Sequence, residues 1–239
     1  VNFMYYPIEL EGPVRKGAVL LDILDHLWTT LRTTMSVRHL RRLITESMAF
    51  EGVFEAAKDY LQPVIKGTVL VIPLFVYMEN TRRSAIIVGM VYFALHLLSA
   101  WGSRKSHKIT LWTGGEEQGA SLIWKGVLFV YLLLTAVLYL KWYYVAIVGF
   151  VALYVMQNLW RPILISRFDE YATETQGATV LSIESQAKSV STIFAAPLLG
   201  IAVDFVSRHG FGGEFWPVGA VGAVIAFFIL ATTASHRRQ

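Results

Sequence analysis

Cysteine is absent from all 239 residues, which removes disulfides, thiolate metal sites and a cysteine nucleophile from the chemistry open to this chain. Charge is scarce too. Asp, Glu, Lys and Arg make up 16% of the residues against 55% hydrophobic, and mean hydropathy is +0.50, a composition that argues against a soluble domain. There are no clustered histidines, no serine in a Gly-x-Ser-x-Gly setting and no paired aspartates, so no enzymatic activity is expected. His96 has no second histidine at metal-ligand spacing and reads as a packed side chain; no metal or cofactor is expected. The pI is near 9.3, yet Lys and Arg form no long run with interleaved aromatics, so nucleic acid is not an expected partner.

What the chain does have is long apolar stretches. A bilayer core about 30 Å thick needs roughly 20 mainly apolar residues in a helix. Such stretches lie near 43 to 65, 83 to 102, 121 to 140, 142 to 165, 180 to 205 and 215 to 235. The first carries Glu46, Glu51, Glu55, Lys58 and Asp59 and would fail a hydropathy test; an ordinary amphipathic helix is the other reading of it. Charge placement favours counting it. With six spans, one side receives Arg15, Lys16, Arg32, Arg38, Arg41, Arg42, Arg104, Lys105, Lys108, Arg167, Arg237 and Arg238, and the other receives Lys66, Arg82, Arg83, Lys141 and Arg208. Twelve against five puts both termini in the cytoplasm by the positive-inside rule. The fold class read from the sequence is therefore all-α, a polytopic membrane protein of six transmembrane helices.

Residues 1 to 40 read as a cytoplasmic linker, and 41 to 239 as the transmembrane bundle. Within the linker, Leu20, Leu21, Leu24, Leu27, Trp28 and Leu31 recur at helical spacing, which predicts an amphipathic helix over 18 to 33. It lies on lipid headgroups or packs on cytoplasmic loops; both readings stand. The amino end, Val1 to Pro7, lacks the basic region and apolar core of a cleavable signal peptide, and it starts without Met, so a fragment of a longer polypeptide is expected. Residues 102 to 108, extended to 117, read as a basic loop, 141 to 144 as a tight outer turn, 166 to 177 as a short charged inner loop and 210 to 213 as a flexible outer turn. The apolar run 69 to 76, with Pro73 at its centre, is too short to cross alone.

Polar side chains inside the spans carry the functional expectation. At 100° per residue, Glu51, Glu55, Lys58, Asp59 and Gln62 fall within an arc of about 100° on the first span. Charges at bilayer depth cost at least a few kcal/mol each and persist where they face a bundle interior or a wet cavity. Gln157, Asn158 and Arg161 share an arc of the fourth span, ahead of Pro162, and Glu184 and Lys188 share a face of the fifth in the favourable i, i+4 order. Depth along the helices lets Glu51 and Glu55 meet Lys188 near the midplane, and lets Arg161 and Glu184 pair nearer the cytoplasmic end as a gate. Two readings of the acidic pair stay open. Glu51 and Glu55, one turn apart, form a proton-coupling site, or Lys58 and Lys188 neutralise them permanently. For the stripe as a whole, the alternative to cavity lining is an i, i+3 pair of Glu55 with Lys58 that holds the bundle together.

The run 158 to 162, Asn-Leu-Trp-Arg-Pro, followed by a short charged loop, by 177 to 182, Gly-Ala-Thr-Val-Leu-Ser, and by 197 to 204, Pro-Leu-Leu-Gly-Ile-Ala-Val-Asp, is similar to the tenth helix, inner loop and eleventh helix of the major facilitator superfamily (MFS). Residues 54 to 63 resemble the polar seventh helix of many bacterial members, residues 8 to 42 look like the central linker, and 102 to 105 are a faint echo of the basic inner-loop motif. The resemblance covers nearly the whole chain and implies the carboxy-terminal six-helix half of a twelve-helix transporter, with the amino-terminal half missing. It implies a secondary transporter in a bacterial cytoplasmic membrane, moving a small solute by alternating access, with protons as a candidate coupling ion and the first, fourth and fifth spans lining the cavity. The alternatives are a six-helix permease subunit and a non-transporting membrane scaffold. For the first, Glu55-Ala56-Ala57 is superficially like the coupling motif of ATP-driven importers, but Leu61 stands at the glycine position.

Overall fold

The computed structural model describes residues 28, 32, 35–69, 75, 77–171 and 177–236. Apart from Trp28 and Arg32, the linker helix expected over 18 to 33 lies outside the described residues, as does most of the run 69 to 76. Every regular element among the described residues is helical: α1 (Arg38–Ser47), a π-helical turn (Met48–Gly52), α2 (Val53–Lys58), α3 (Leu61–Val69), α4 (Asn80–Ser103), α5 (Ser106–Thr113), α6 (Glu116–Tyr139), α7 (Tyr143–Tyr171), α8 (Gly177–His209) and α9 (Trp216–His236).

Among the described residues, five helices, α4, α6, α7, α8 and α9, are long and apolar enough to cross a membrane. They match five of the six expected spans. The expected first span is also helical, but as the succession α1, π turn, α2 and α3, none longer than 10 residues, so it does not count as one uninterrupted membrane-crossing helix. It is nonetheless deeply enclosed: Ile44, Ala57, Leu61, Val64 and Ile65 are each at most 1% exposed. A helix burying both apolar and charged faces has neighbours on most sides. Here the π turn and α2 pack on α8, α3 packs on α4 and α7, and α6 packs between α7 and α9.

The closest approach of helices is built on small residues, which let backbones meet where lipid supplies no hydrophobic drive between helices. A Cβ on Gly219 of α9 would sit 2.5 Å from the Thr135 nitrogen of α6. Turn chemistry closes the opposite ends: Lys141 takes a left-handed φ of 61° between α6 and α7, and Gly210 and Gly212 take φ of 69° and 79° between α8 and α9. Turns are present at both places where the sequence predicts them, 141 to 144 and 210 to 213.

Two expected loops are corrected. The basic segment 102 to 117 folds largely into α5, ended by Gly114 at φ 83° with the Gly115 N–H donating to the Thr110 carbonyl at 2.9 Å. The charged segment 166 to 177 is helical as far as Tyr171, because Arg167 and Phe168 are each 1% exposed and draw the last turns of α7 into the bundle. The starts of α1 and α6 and the ends of α7 and α9 share one face of the bundle. His39 stacks on Tyr171 at 4.7 Å, Arg42 reaches Glu117, and a cleft joins Arg38 to Thr232. Basic residues concentrate on that face.

Gly219→Val is expected to lower stability by about 2 kcal/mol, since backbone atoms of α6 cannot step aside for the new side chain. Gly200→Ala, with open space around its Cβ position, should leave stability unchanged or raise it by up to about 1 kcal/mol. Unfolding by SDS titration in mixed micelles distinguishes the two.

Candidate functional site

The π turn sets the site. Inserting one residue into a helical turn widens it and leaves carbonyls without their usual partner, and such turns cluster at functional positions. Two hydroxyls of α8 supply what is missing: Ser191 Oγ donates to the Met48 carbonyl at 2.9 Å and Thr192 Oγ1 donates to the Gly52 carbonyl at 3.2 Å. Gly52 permits this approach, because a Cβ there would lie 2.5 Å from the Ser191 Cβ. Phe50 anchors the same turn on the other side, stacked on Trp160 at 5.1 Å and edge-on to Trp124 at 5.2 Å. Glu51, between Phe50 and Gly52, is thereby fixed at 2% exposure.

Four charged side chains from three elements meet around it. Arg161 of α7 uses one nitrogen, Nη1, to donate to Glu51 Oε1 at 3.2 Å and to Glu184 Oε1 at 2.8 Å. Lys188 Nζ donates to Glu51 Oε2 at 3.3 Å. Ser47 Oγ also donates to Glu184 Oε1, while Glu184 Oε2 is enclosed and takes no hydrogen bond from the described residues. The group balances two carboxylates with two cations. Its exposure is lopsided: the Glu51 and Glu184 side chains are 2% and 0% exposed, those of Arg161 and Lys188 29% and 24%. The acids sit behind and the cations in front. At about 1.5 Å per residue, Glu184 lies about 10 Å and Glu51 about 20 Å from the basic-face ends of their helices.

The sequence-predicted residues separate into those brought together and those left apart. Glu51, Arg161, Glu184 and Lys188 converge. Glu184 and Lys188 do not pair with each other; each turns to a different helix. Glu55 pairs with Lys58 at i, i+3, with both side chains about one third exposed, so it joins neither Glu51 nor Lys188. Asp59, at the break before α3, and Gln62 are exposed, and Gln157 is half-buried. Asn158 Nδ2 donates to the Tyr154 carbonyl at 2.9 Å and, with Arg161, Ser103 and Asp169, lines a cleft of about 390 Å³. Among the described residues no group of acids and histidines could hold a metal ion.

A second charge cluster, nearer the basic face, escaped the sequence reading. Arg167 Nη1 donates to Glu46 Oε2 at 2.7 Å and Nη2 to Glu117 Oε1 at 2.8 Å, while Arg42 donates to the other oxygen of each acid at 2.8 and 3.0 Å. The four close into a ring tying α1, α6 and α7, with the Arg167 guanidinium 5.8 Å from the centre of the Trp160 ring. One signal was available. The first segment and α7 run antiparallel, so once Glu51 faces Arg161, five residues back on one and six forward on the other places Glu46 opposite Arg167.

Known protein families, curated proteins and solved structures offer no match to this chain. What the fold and site define is an all-helical bundle with five helices fit to cross a membrane and a balanced charge cluster enclosed among them.

Replacing Arg167 with Gln should cost about 3–5 kcal/mol, because it leaves Glu46 enclosed with less of its compensating charge. Arg42→Gln, at a side chain 30% exposed and backed by Arg167, should cost at most about 1 kcal/mol. SDS unfolding of both variants checks the ranking.

Proposed function

We propose that this chain is the carboxy-terminal six-helix bundle of a secondary active transporter of MFS type. In this reading the broken helix from Arg38 to Val69 is the first of six membrane helices, and a second bundle completes the pathway. The observation that carries the reading is Arg161 holding the enclosed Glu51 and Glu184 well inside the ends of their helices, which this reading places within the bilayer. Ionisable groups cost several kcal/mol there, and function is the default explanation for them. Helix interruptions at the same level support it. The π turn and Pro162 within α7, next to Arg161, break backbone ladders, as expected where helices line a solute site rather than merely span lipid.

The mechanism follows from the geometry. Arg161 and Lys188 present the exposed side of the cluster to the pathway, and the buried acids hold them in place. When the two bundles rock, the cleft at Asn158 and Arg161 opens to the basic face in one state and is covered in the other. Protonation of Glu184, whose Oε2 is enclosed and takes no hydrogen bond from the described residues, releases Arg161 from one of its two acids and couples a proton to the rocking step. The excess of basic residues on one face supports a cytoplasmic location for that face and for both termini, in a bacterial inner membrane.

The absence of cysteine gives a direct test, since any introduced thiol is unique in this chain. Asn158→Cys and Gln62→Cys, in the native full-length polypeptide with any cysteine outside this chain replaced by Ala and in sealed vesicles of both orientations, are labelled with a membrane-impermeant maleimide while a pH gradient is reversed. Alternating access predicts that the two labelling rates change in opposite directions by at least about threefold, and that Glu184→Gln abolishes the response. Rates that ignore both the gradient and added small-solute pools would point to a permease subunit awaiting an ATPase or to a scaffold.

A further inference from the structure

A cleft of about 590 Å³ lies away from the Arg161 cluster, at the basic face between the start of α1 and the end of α9. Arg38, Arg41, Arg42 and Thr45 form its α1 wall, and Phe228 and Ile229 lie across from them on α9. Its one carboxylate, Glu46, has both oxygens committed to Arg42 and Arg167. Arg42 is balanced within the ring it shares with Arg167, Glu46 and Glu117. His39 is stacked flat on Tyr171. Two charges therefore remain uncompensated: Arg38 and Arg41 are exposed and have no acidic partner among the described residues, and the contact of Arg41 with the Met35 carbonyl is long, at 3.5 Å.

The other wall is apolar in a particular direction. Phe228 is 67% exposed and Val224, one turn further along α9, is 68% exposed, so the cleft opens onto the outward apolar surface of a candidate membrane span. Phe228 lies about 12 Å, eight residues, inside the end of α9. A cationic rim at the membrane surface above an apolar wall at acyl depth matches an amphiphile with an anionic head. A free anion would use only the rim.

We propose that this cleft binds an anionic phospholipid, its phosphate on Arg38 and Arg41 and an acyl chain along Phe228. Basic pockets between membrane helices recognise such headgroups, with each Lys or Arg near the surface contributing about 1 kcal/mol. The site does not depend on the transport reading, since it needs only that this end of the bundle lie at a bilayer surface.

The test is native mass spectrometry of the full chain purified in dodecyl maltoside and titrated with dioleoylphosphatidylglycerol or dioleoylphosphatidylcholine. The expected result is at least tenfold preference for the glycerol lipid. R38Q/R41Q should weaken its retention about thirtyfold, the two contributions of about 1 kcal/mol taken at 1.4 kcal/mol per tenfold. R38K/R41K, which keeps the charge, should stay within about threefold of the parent. Both arginines are exposed, and an unchanged melting curve for R38Q/R41Q confirms that the fold is intact. Equal retention of the two lipids, or retention unaffected by R38Q/R41Q, would overturn the proposal. So would displacement of the glycerol lipid by millimolar inorganic phosphate, which would make this a soluble-anion site.

Discussion

Arg161 reaches two carboxylates through one nitrogen, and much of the bundle is arranged so that it can. Glu51 and Glu184 are enclosed on different helices, and a buried acid without a cation beside it costs several kcal/mol. Placing Arg161 between them fixes the spacing of the first segment, α7 and α8 within hydrogen-bond reach. The π turn then brings Glu51 into range. The hydroxyls of Ser191 and Thr192 satisfy the carbonyls that the wide turn strands, and Gly52 clears the space. Remove the constraint that acids meet the cation, and neither the π turn nor the missing side chain at position 52 has a physical purpose.

The two charge clusters act through a shared aromatic wedge. Trp160 precedes Arg161 in α7, stacks on Phe50 beside Glu51, and lies under the Arg167 guanidinium of the ring at the basic face. A shift of the first segment along α7 would therefore disturb both clusters at once. Such pairs are weak sources of net stability, because the desolvation penalty offsets most of their attraction, whereas removing one member of an enclosed pair costs about 3–5 kcal/mol. Their effect is to make one register of these helices far better than its neighbours.

Sequence reasoning reached the parts of this arrangement that depend on period and depth. The five apolar spans followed from hydropathy, and the turn at Lys141 from the run of aromatics after it. The pairing of Arg161 with Glu184 and the meeting of Glu51 with Lys188 followed from rise per residue, but as a gate and a midplane site at separate depths, whereas Arg161 Nη1 joins them into one cluster. It went wrong where a regular α-helix was assumed. A constant 100° step put Glu55, Asp59 and Gln62 on the stripe of Glu51, but the π turn lies at the head of that stripe and the helix breaks at Asp59, so burial falls away from Glu51 to Gln62. Charge was also taken as a sign of loop at 102 to 117 and 166 to 177. In both, helix continued: Arg167 is enclosed by acids on two other helices, and α5 needs only the local turn geometry that Gly114 ends. The ring at the basic face went unseen because, apart from the i, i+4 pair Arg42–Glu46, its members are far apart in sequence and only the packing of three helices connects them.

The most direct measurement on the central claim is a double-mutant cycle between Arg161 and Glu184, comparing the unfolding free energies of R161Q, E184Q and the double variant in mixed micelles. If Arg161 is held by the buried acid, the double variant is more stable than the sum of the single losses predicts, by at least about 1.5 kcal/mol. Losses that add within about 0.5 kcal/mol would mean that the two side chains do not interact, and that something other than this charge cluster sets the helices in place.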